Sequence, residues 1–275
     1  MLDVIIGISV SVVCLSVVIA VLFVLALKGR SGFADWDILG AKPFAHRGLH
    51  DDLKPENSLV AFKAAKEKGY GAEFDVHLLK DGTLAVFHDS DLKRMTGKEG
   101  TIEDLDGYRL REYHLRGTDE VIPTFDDVLE VFDGNEPLVI ELKHHGKNAA
   151  ELCRAVCNRL DSYKGVYCIE SFDPRCILWL KRNRPDIVRG FLSQSPGRYE
   201  NLPGILGLFL GNLLFNFVIK PDFVAYRFDD RRRAAFKICT TVWKVKGVLW
   251  TIDSEVQYKA AAEDNCLQIF EGFEP

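Results

Sequence analysis

Eight short runs of β-branched and aromatic residues, alternating with helical or loop-forming stretches, constrain this chain more than any other feature. They fall at Phe44–Gly48, Gly71–Leu79, Leu138–Lys143, Val166–Phe172, Val188–Ser193, Phe223–Phe228, Val248–Ile252 and Leu267–Glu271. Helical patterns lie between them at Ser58–Lys68, Phe125–Phe132, Ala149–Leu160 and Arg175–Asn183, the last opened by Asp173-Pro174 as N-cap and first helical residue. Strands that alternate with helices pair in parallel. Eight alternations in 275 residues favour an α/β protein with a closed (β/α)8 barrel of the TIM type over an open doubly wound sheet. A ninth run, Leu84–Asp89, follows Lys80-Asp81-Gly82-Thr83, and Asp-Gly is a hairpin signal. It is expected to lie antiparallel on the second strand. The charged, poorly periodic stretch from about residue 90 to 123 then reads as a small insertion over the barrel mouth.

Residues Val4 to Leu27 carry no charge. A helix of that length spans a hydrocarbon core of about 30 Å. A cleaved signal peptide would have a basic leading region and a shorter apolar run; here Asp3 precedes the run, and Lys28 and Arg30 follow it. The expected organisation is a transmembrane anchor at 1–30, a linker at 31–40 and a barrel at 41–275. The basic flank places the barrel on the cytoplasmic side of the cell membrane, on a single-pass chain. Seven cysteines without zinc or disulfide spacing agree with free thiols in a reducing compartment. A net charge of −5 argues against nucleic acid as a partner. Only Gly272–Pro275 follow the last strand, so Ser31–Gly40 is expected to cover the seam there.

If Asp81 and Gly82 form a two-residue turn, Leu78 faces Ala85 and Asp75 faces His88. Glu73, Asp75 and His88 then project together from one face. Two carboxylates and an imidazole between apolar neighbours are costly without compensation, which a hard divalent cation would supply. The hairpin alone does not choose between a metal site and a polar edge. His46 and Arg47 end the first strand, and Glu141 and Lys143 end another. In (β/α)8 enzymes the C-terminal ends of the strands carry the site, and a set of polar residues at those ends is hard to explain otherwise.

The ordered set His46-Arg47-Gly48, Pro55-Glu56-Asn57-Ser58, Glu73-Phe74-Asp75-Val76, Lys80-Asp81-Gly82, His88-Asp89, Glu141-Leu142-Lys143, Ser171-Phe172 and Trp250-Thr251 resembles the glycerophosphodiester phosphodiesterase family from about Ala41 onward. The resemblance implies that Glu73, Asp75 and Glu141 bind Ca2+ or Mg2+, with Asn57 in or beside the metal shell. It implies His46 and His88 as an acid/base pair, and Arg47, Lys143 and Trp250 as substrate-binding residues. The implied reaction yields sn-glycerol 3-phosphate and an alcohol. Ser58 stands where the family usually has Thr, and both supply a hydroxyl.

Other residues are weaker candidates. His77 shares the face of Asp75 and reads better as a structural histidine, whereas His145 lies in a loop that could reach substrate. His50 and His114 read as surface residues. The run Asp229–Arg233 reads as a solvated helix start. Leu202–Ile219 carries no charge and is apolar nearly all round. It fits either an unusually buried outer helix or, more naturally beside an anchor, a helix in the membrane interface. Three functions therefore stand: cleavage of soluble glycerophosphodiesters, lysophospholipase D action on membrane lysophospholipids, or a non-catalytic membrane-bound barrel. Oligomeric state is not legible.

Overall fold

The computed structural model describes residues 2–30, 39, 42–199 and 202–275. Most of the linker 31–40 lies outside them, so the expected cover over the seam does too. Helix α1 (Leu2–Ala26) is an apolar stem, long and apolar enough to cross a membrane. Eight strands close a parallel barrel: β1 (Phe44–His46), β2 (Gly71–Leu78), β4 (Leu138–Leu142), β5 (Tyr167–Ser171), β6 (Arg189–Ser193), β7 (Phe223–Arg227), β8 (Lys246–Ile252) and β9 (Cys266–Phe270). Closure runs through β1, which pairs with both β2 and β9. Strand β3 (Leu84–Val86) lies antiparallel on the far end of β2.

Around this barrel stand α2 (Leu59–Glu67), the single turn α3 (Lys93–Thr96), α4 (Phe125–Phe132), α5 (Ala149–Leu160), α6 (Pro174–Asn183), α7 (Gly204–Gly211), α8 (Asn216–Ile219), α9 (Ala234–Thr241) and α10 (Glu255–Glu263). The outer layer is aromatic where α2 and α4 meet the sheet. Phe62 of α2 lies edge-on to Phe74 of β2 at 5.5 Å and to Phe132 of α4 at 6.0 Å. Side chains alternate along each strand, so Phe74 and Val76 face these helices and Glu73, Asp75 and His77 face inward. Phe44, Val139, Phe223, Val248 and Ile269 fill the interior below the carboxylates, and Leu39 joins them. The insertion is not loose cover: Phe87, Leu92, Ile102, Leu110 and Ile122 form its own small core. The seven cysteines are free.

The hairpin differs from the sequence expectation by one residue. His77 pairs with Ala85 and Val76 with Val86. The loop has three residues, Lys80-Asp81-Gly82, closed by Leu79 N–H donating to Thr83 O at 2.9 Å, and Gly82 takes φ 89°, which favours glycine. A one-residue slip moves His88 off the face shared with Asp75. The ladder, however, ends at Val86, and a last bond from Phe87 N–H to Asp75 O lets the chain turn. His88 thus reaches the mouth by leaving the strand, not by facing Asp75 across it.

The apolar stem and the acid-lined mouth lie at opposite ends of the barrel. Trp243 Nε1 donates to Val24 O at 2.6 Å, Asn216 Nδ2 to Leu27 O at 3.3 Å, and Lys220 Nζ to Lys28 O at 3.0 Å. Those partners sit just before β7 and β8, at the N-terminal ends of the strands. On the opposite end, Asp173 caps α6 by accepting from Arg175 N–H at 2.7 Å, and it pairs with His144 at 3.0 Å. Burial would raise its pKa, but His144 and Arg175 hold it well below the ordinary value. Its stabilising contribution is therefore present above the ordinary carboxylate pKa and lost as pH falls through the lower folded value. Replacing Asp173 with alanine should cost about 1 kcal/mol or more in chemical denaturation, and Asp173→Asn should flatten the acid limb of the stability curve.

Candidate active site

The turn after β1 sets the site's geometry. Arg47 and Gly48 both take positive φ, 54° and 82°. A Cβ on Gly48 would lie 2.9 Å from the Ala61 carbonyl carbon, so glycine alone lets the turn press against α2. Asn57 N–H then donates to Arg47 O at 2.9 Å, which brings the Pro-Glu-Asn-Ser segment over the barrel. Asn57 Nδ2 donates to Asp75 Oδ2 at 2.8 Å. Arg47 lies between Glu56, 2.7 Å away, and Asp75, 3.5 Å away. Burial would raise the pKa of Glu56, but Arg94 and Arg47 bring it down to about 2.

Register places three carboxylates side by side in one layer. Asp75 of β2 is level with Glu141 of β4, and Glu141 with Glu170 of β5. Glu73 lies two residues earlier on the same inward face. Ligand atoms of Glu73, Asp75 and Glu141 lie within 4.8 Å of one another. Lys143 Nζ sits between two of them, 3.0 Å from Asp75 and 2.7 Å from Glu141. Burial, with repulsion from the other acids, pushes Glu73 and Glu170 well above the ordinary glutamate range. Burial also acts on Asp75, but Lys143, His88 and Arg47 outweigh it and drive its pKa well below the usual value. The donor set fits a hard divalent cation: three buried carboxylates converge, and Asn57 Oδ1 and Glu170 Oε2 are buried without a hydrogen-bond partner.

Both imidazoles are held at one nitrogen by a carboxylate. His46 Nδ1 bonds Glu271, and its Nε2 lies 3.8 Å from Glu73. His88 Nδ1 bonds Asp89 at 2.6 Å, and Arg94 holds Asp89 in turn. This pairing leaves Nε2 of each ring for the cavity. Burial lowers the His46 pKa against the opposing pull of Glu271. A cavity of about 270 Å³ opens among His46, His88, Arg47 and Lys143, with Phe172 and Trp250 edge-to-face at 5.6 Å along one wall.

All nine residues singled out from the sequence thus come together: His46, Arg47, Asn57, Glu73, Asp75, His88, Glu141, Lys143 and Trp250. Four further residues join them. Glu170 was signalled by an acid ending an apolar strand. Arg227 ends β7 and lies over Trp250, 6.0 Å from its ring centroid. Glu56 stood inside a quoted motif. Glu271 also ends an apolar run, but its pairing had no local signal, since its partner His46 is 225 residues away. His50 corrects the surface reading, for it is partly buried 3.7 Å from Glu271. His77 is structural as expected, bonded to Glu103 at 2.7 Å. His145, 3.6 Å from Glu103, faces the insertion. Arg231 pairs with Asp264 outside the cavity.

Comparison with known proteins defines the class: the chain belongs to the glycerophosphoryl diester phosphodiesterase family, whose model matches residues 46–262. Among curated relatives, a glycerophosphodiester phosphodiesterase of Bacillus altitudinis is 36% identical over 110 residues, covering 37% of this chain and 44% of the relative. One from Caldanaerobacter subterraneus subsp. tengcongensis is 38% identical over 107 residues, covering 36% and 44%. The matches thus span less than half the length of these relatives. The same fold occurs in a phosphodiesterase of Oleispira antarctica solved with the product sn-glycerol-3-phosphate, with TM-score 0.70, 22% identity, and 86% and 94% of the two chains covered.

The Gly48→Ala variant should lose about 1–3 kcal/mol in denaturant titration, because it combines an unfavourable φ with a backbone overlap. Unchanged stability would mean that the turn after β1 relaxes freely.

Proposed function

We propose that this chain hydrolyses glycerophosphodiesters to sn-glycerol 3-phosphate and an alcohol, using Ca2+ or Mg2+ bound by Glu73, Asp75 and Glu141. The observation that carries the reading is the convergence of these buried acids with two carboxylate-anchored histidines around one cavity. Asn57, through its unpartnered Oδ1, stands beside the metal ligands. When bound, the cation supplies positive charge to the phosphoryl oxygens. Arg47 and Lys143 bind the same anion and oppose the charge that builds up as oxygen adds to phosphorus. His46 and His88 divide the proton work at their Nε2 atoms, one accepting from the attacking hydroxyl and the other donating to the leaving alkoxide. Phe172 and Trp250 close one side of the cavity and position the substrate's carbon skeleton. Helix α1 anchors the barrel to the cell membrane, with Lys28 and Arg30 on the cytoplasmic side.

The full chain, reconstituted in phosphatidylcholine vesicles, should release glycerol 3-phosphate from glycerophosphocholine or glycerophosphoethanolamine with Mg2+ or Ca2+ and stop with EDTA. His46→Ala and His88→Ala should each lower kcat by about 10²–10⁴-fold while still binding the cation. Near-normal turnover in both variants would remove the acid/base assignment, and metal-independent turnover would remove the metal assignment.

A further inference from the structure

Helix α1 divides into a free part and a part that the barrel grips. From Val4 to Leu22 every residue is exposed. That stretch is about 28 Å long at a rise of 1.5 Å per residue, close to the ~30 Å of a bilayer's hydrocarbon core. From Phe23 onward the barrel clasps the helix. Phe23 and Leu27 pack on the core, Trp243 bonds Val24 O, and Lys220 bonds Lys28 O. A Cβ on Gly29 would come within 2.5 Å of Pro221 O, so the chain leaves the helix pressed against the loop before β7. With the free part in hydrocarbon, the clasped part lies at the level of the lipid headgroups. So do the barrel residues that hold it.

Four lysines converge at that level from distant parts of the sequence. Lys28 Nζ lies over the Trp243 ring, 5.1 Å from its centroid. Lys220, which follows α8, donates to Lys28 O at 3.0 Å, and Lys181 of α6 donates to Val218 O at 2.5 Å. Lys244 is exposed beside Trp243. The contacts of Lys28, Lys181 and Lys220 are thus with a ring and two carbonyls, and among the described residues no carboxylate pairs with any of the four. The acid nearest in sequence, Asp222, is already engaged by Arg30 and by Arg189 N–H. Burial, with repulsion from Lys28 and Lys181, lowers the Lys220 pKa, so the cluster lacks an anion. Apolar side chains stand beside it: Phe217 is 55% exposed and Val242 57%. Phe217 belongs to the uncharged segment Leu202–Ile219, whose exposed Ile205, Leu208 and Phe209 exclude a wholly buried outer helix.

We infer that the stem end of the barrel docks on an anionic phospholipid surface, with Lys28, Lys181, Lys220 and Lys244 taking lipid phosphates and Phe217 and Val242 entering the headgroup layer. This rests on the anchoring of α1 proposed above and names the lipid that the barrel meets there. Lysine stems lie along apolar surface while their ammonium groups stay among headgroups, and indole rings favour the same layer. Each lysine near an anionic leaflet strengthens the contact about fivefold. A chain of net charge −5 is otherwise repelled by such a leaflet, so the four cations decide which end approaches it. Docked in this way, the barrel opens its mouth, at the opposite end, to water.

The test uses the full chain in vesicles of phosphatidylcholine, alone or with about one-third phosphatidylglycerol. Acetylation of Lys220 and Lys244, read by mass spectrometry against Lys93 and Lys98 in the insertion, reports the docking, and resistance to alkaline extraction reports the span. Phosphatidylglycerol should slow Lys220 and Lys244 about tenfold. The protection should vanish in about 1 M salt, where the Debye length is about 3 Å. Lys28→Gln, at an exposed side chain, should cut it to about threefold, and Lys28→Gln with Lys181→Gln to less than about twofold. Unchanged rates at Lys93 and Lys98 show that the variants are folded. No protection in a chain that resists extraction overturns the docking and leaves the anchor standing. Equal protection in both variants, or protection that salt does not reverse, overturns the docking as well. Protection in a chain that extraction releases supports the docking and removes the span, and a chain that binds neither vesicle overturns both.

Discussion

Charge repulsion inside a closed barrel governs the mouth of this protein. Glu73, Asp75 and Glu141 bring ligand atoms within 4.8 Å of one another with almost no solvent contact. At an effective dielectric of about 20, two such charges oppose each other by on the order of 3 kcal/mol. Much of the surrounding structure answers that repulsion. Lys143 bridges Asp75 and Glu141, Arg47 reaches Asp75 from the β1 turn, and Asn57 donates to the same carboxylate. The strained turn at Arg47-Gly48 and the Glu56–Arg94 pair behind it exist to hold that arginine over the acids. Even so, Glu73 and Glu170 remain pushed toward the neutral form, which is the state expected of acids arranged for a cation.

The barrel separates its tasks by end. Inward-facing apolar side chains fill the lower interior, and the acids form the layer above them. At the N-terminal ends of the strands, backbone carbonyls of the stem accept from Trp243, Asn216 and Lys220. The candidate site lies at the C-terminal ends, where (β/α)8 enzymes carry theirs. The α7–α8 flank carries exposed apolar side chains, Ile205, Leu208, Phe209 and Phe217.

Much of this was legible in the sequence, for reasons that can be named. Each barrel strand is a short β-rich run flanked by turn residues, and α4 and α5 fall on the expected residues because their apolar spacing is strongly periodic. The metal-ligand candidates were legible because acids interrupt otherwise apolar strands. The hairpin register was not, because Asp-Gly fits both a two-residue turn and the last two positions of the observed three-residue loop. Only the Gly82 backbone and the Leu79–Thr83 bond distinguish them. The pairing of Glu271 with His46 was not legible because it arises from barrel closure between β1 and β9, which no local pattern encodes. His50 was misread for the same reason, being brought inward by Glu271.

The central claim is that the buried acids form a cation site. Calorimetric titration of Mg2+ and Ca2+ into the full chain and into Glu141→Gln, with Tm followed against cation concentration, tests it most directly. The account predicts saturable binding by the wild type, a Tm that rises with cation concentration, and loss of both effects in Glu141→Gln. Absence of binding by folded wild type, or equal binding by the variant, would contradict it.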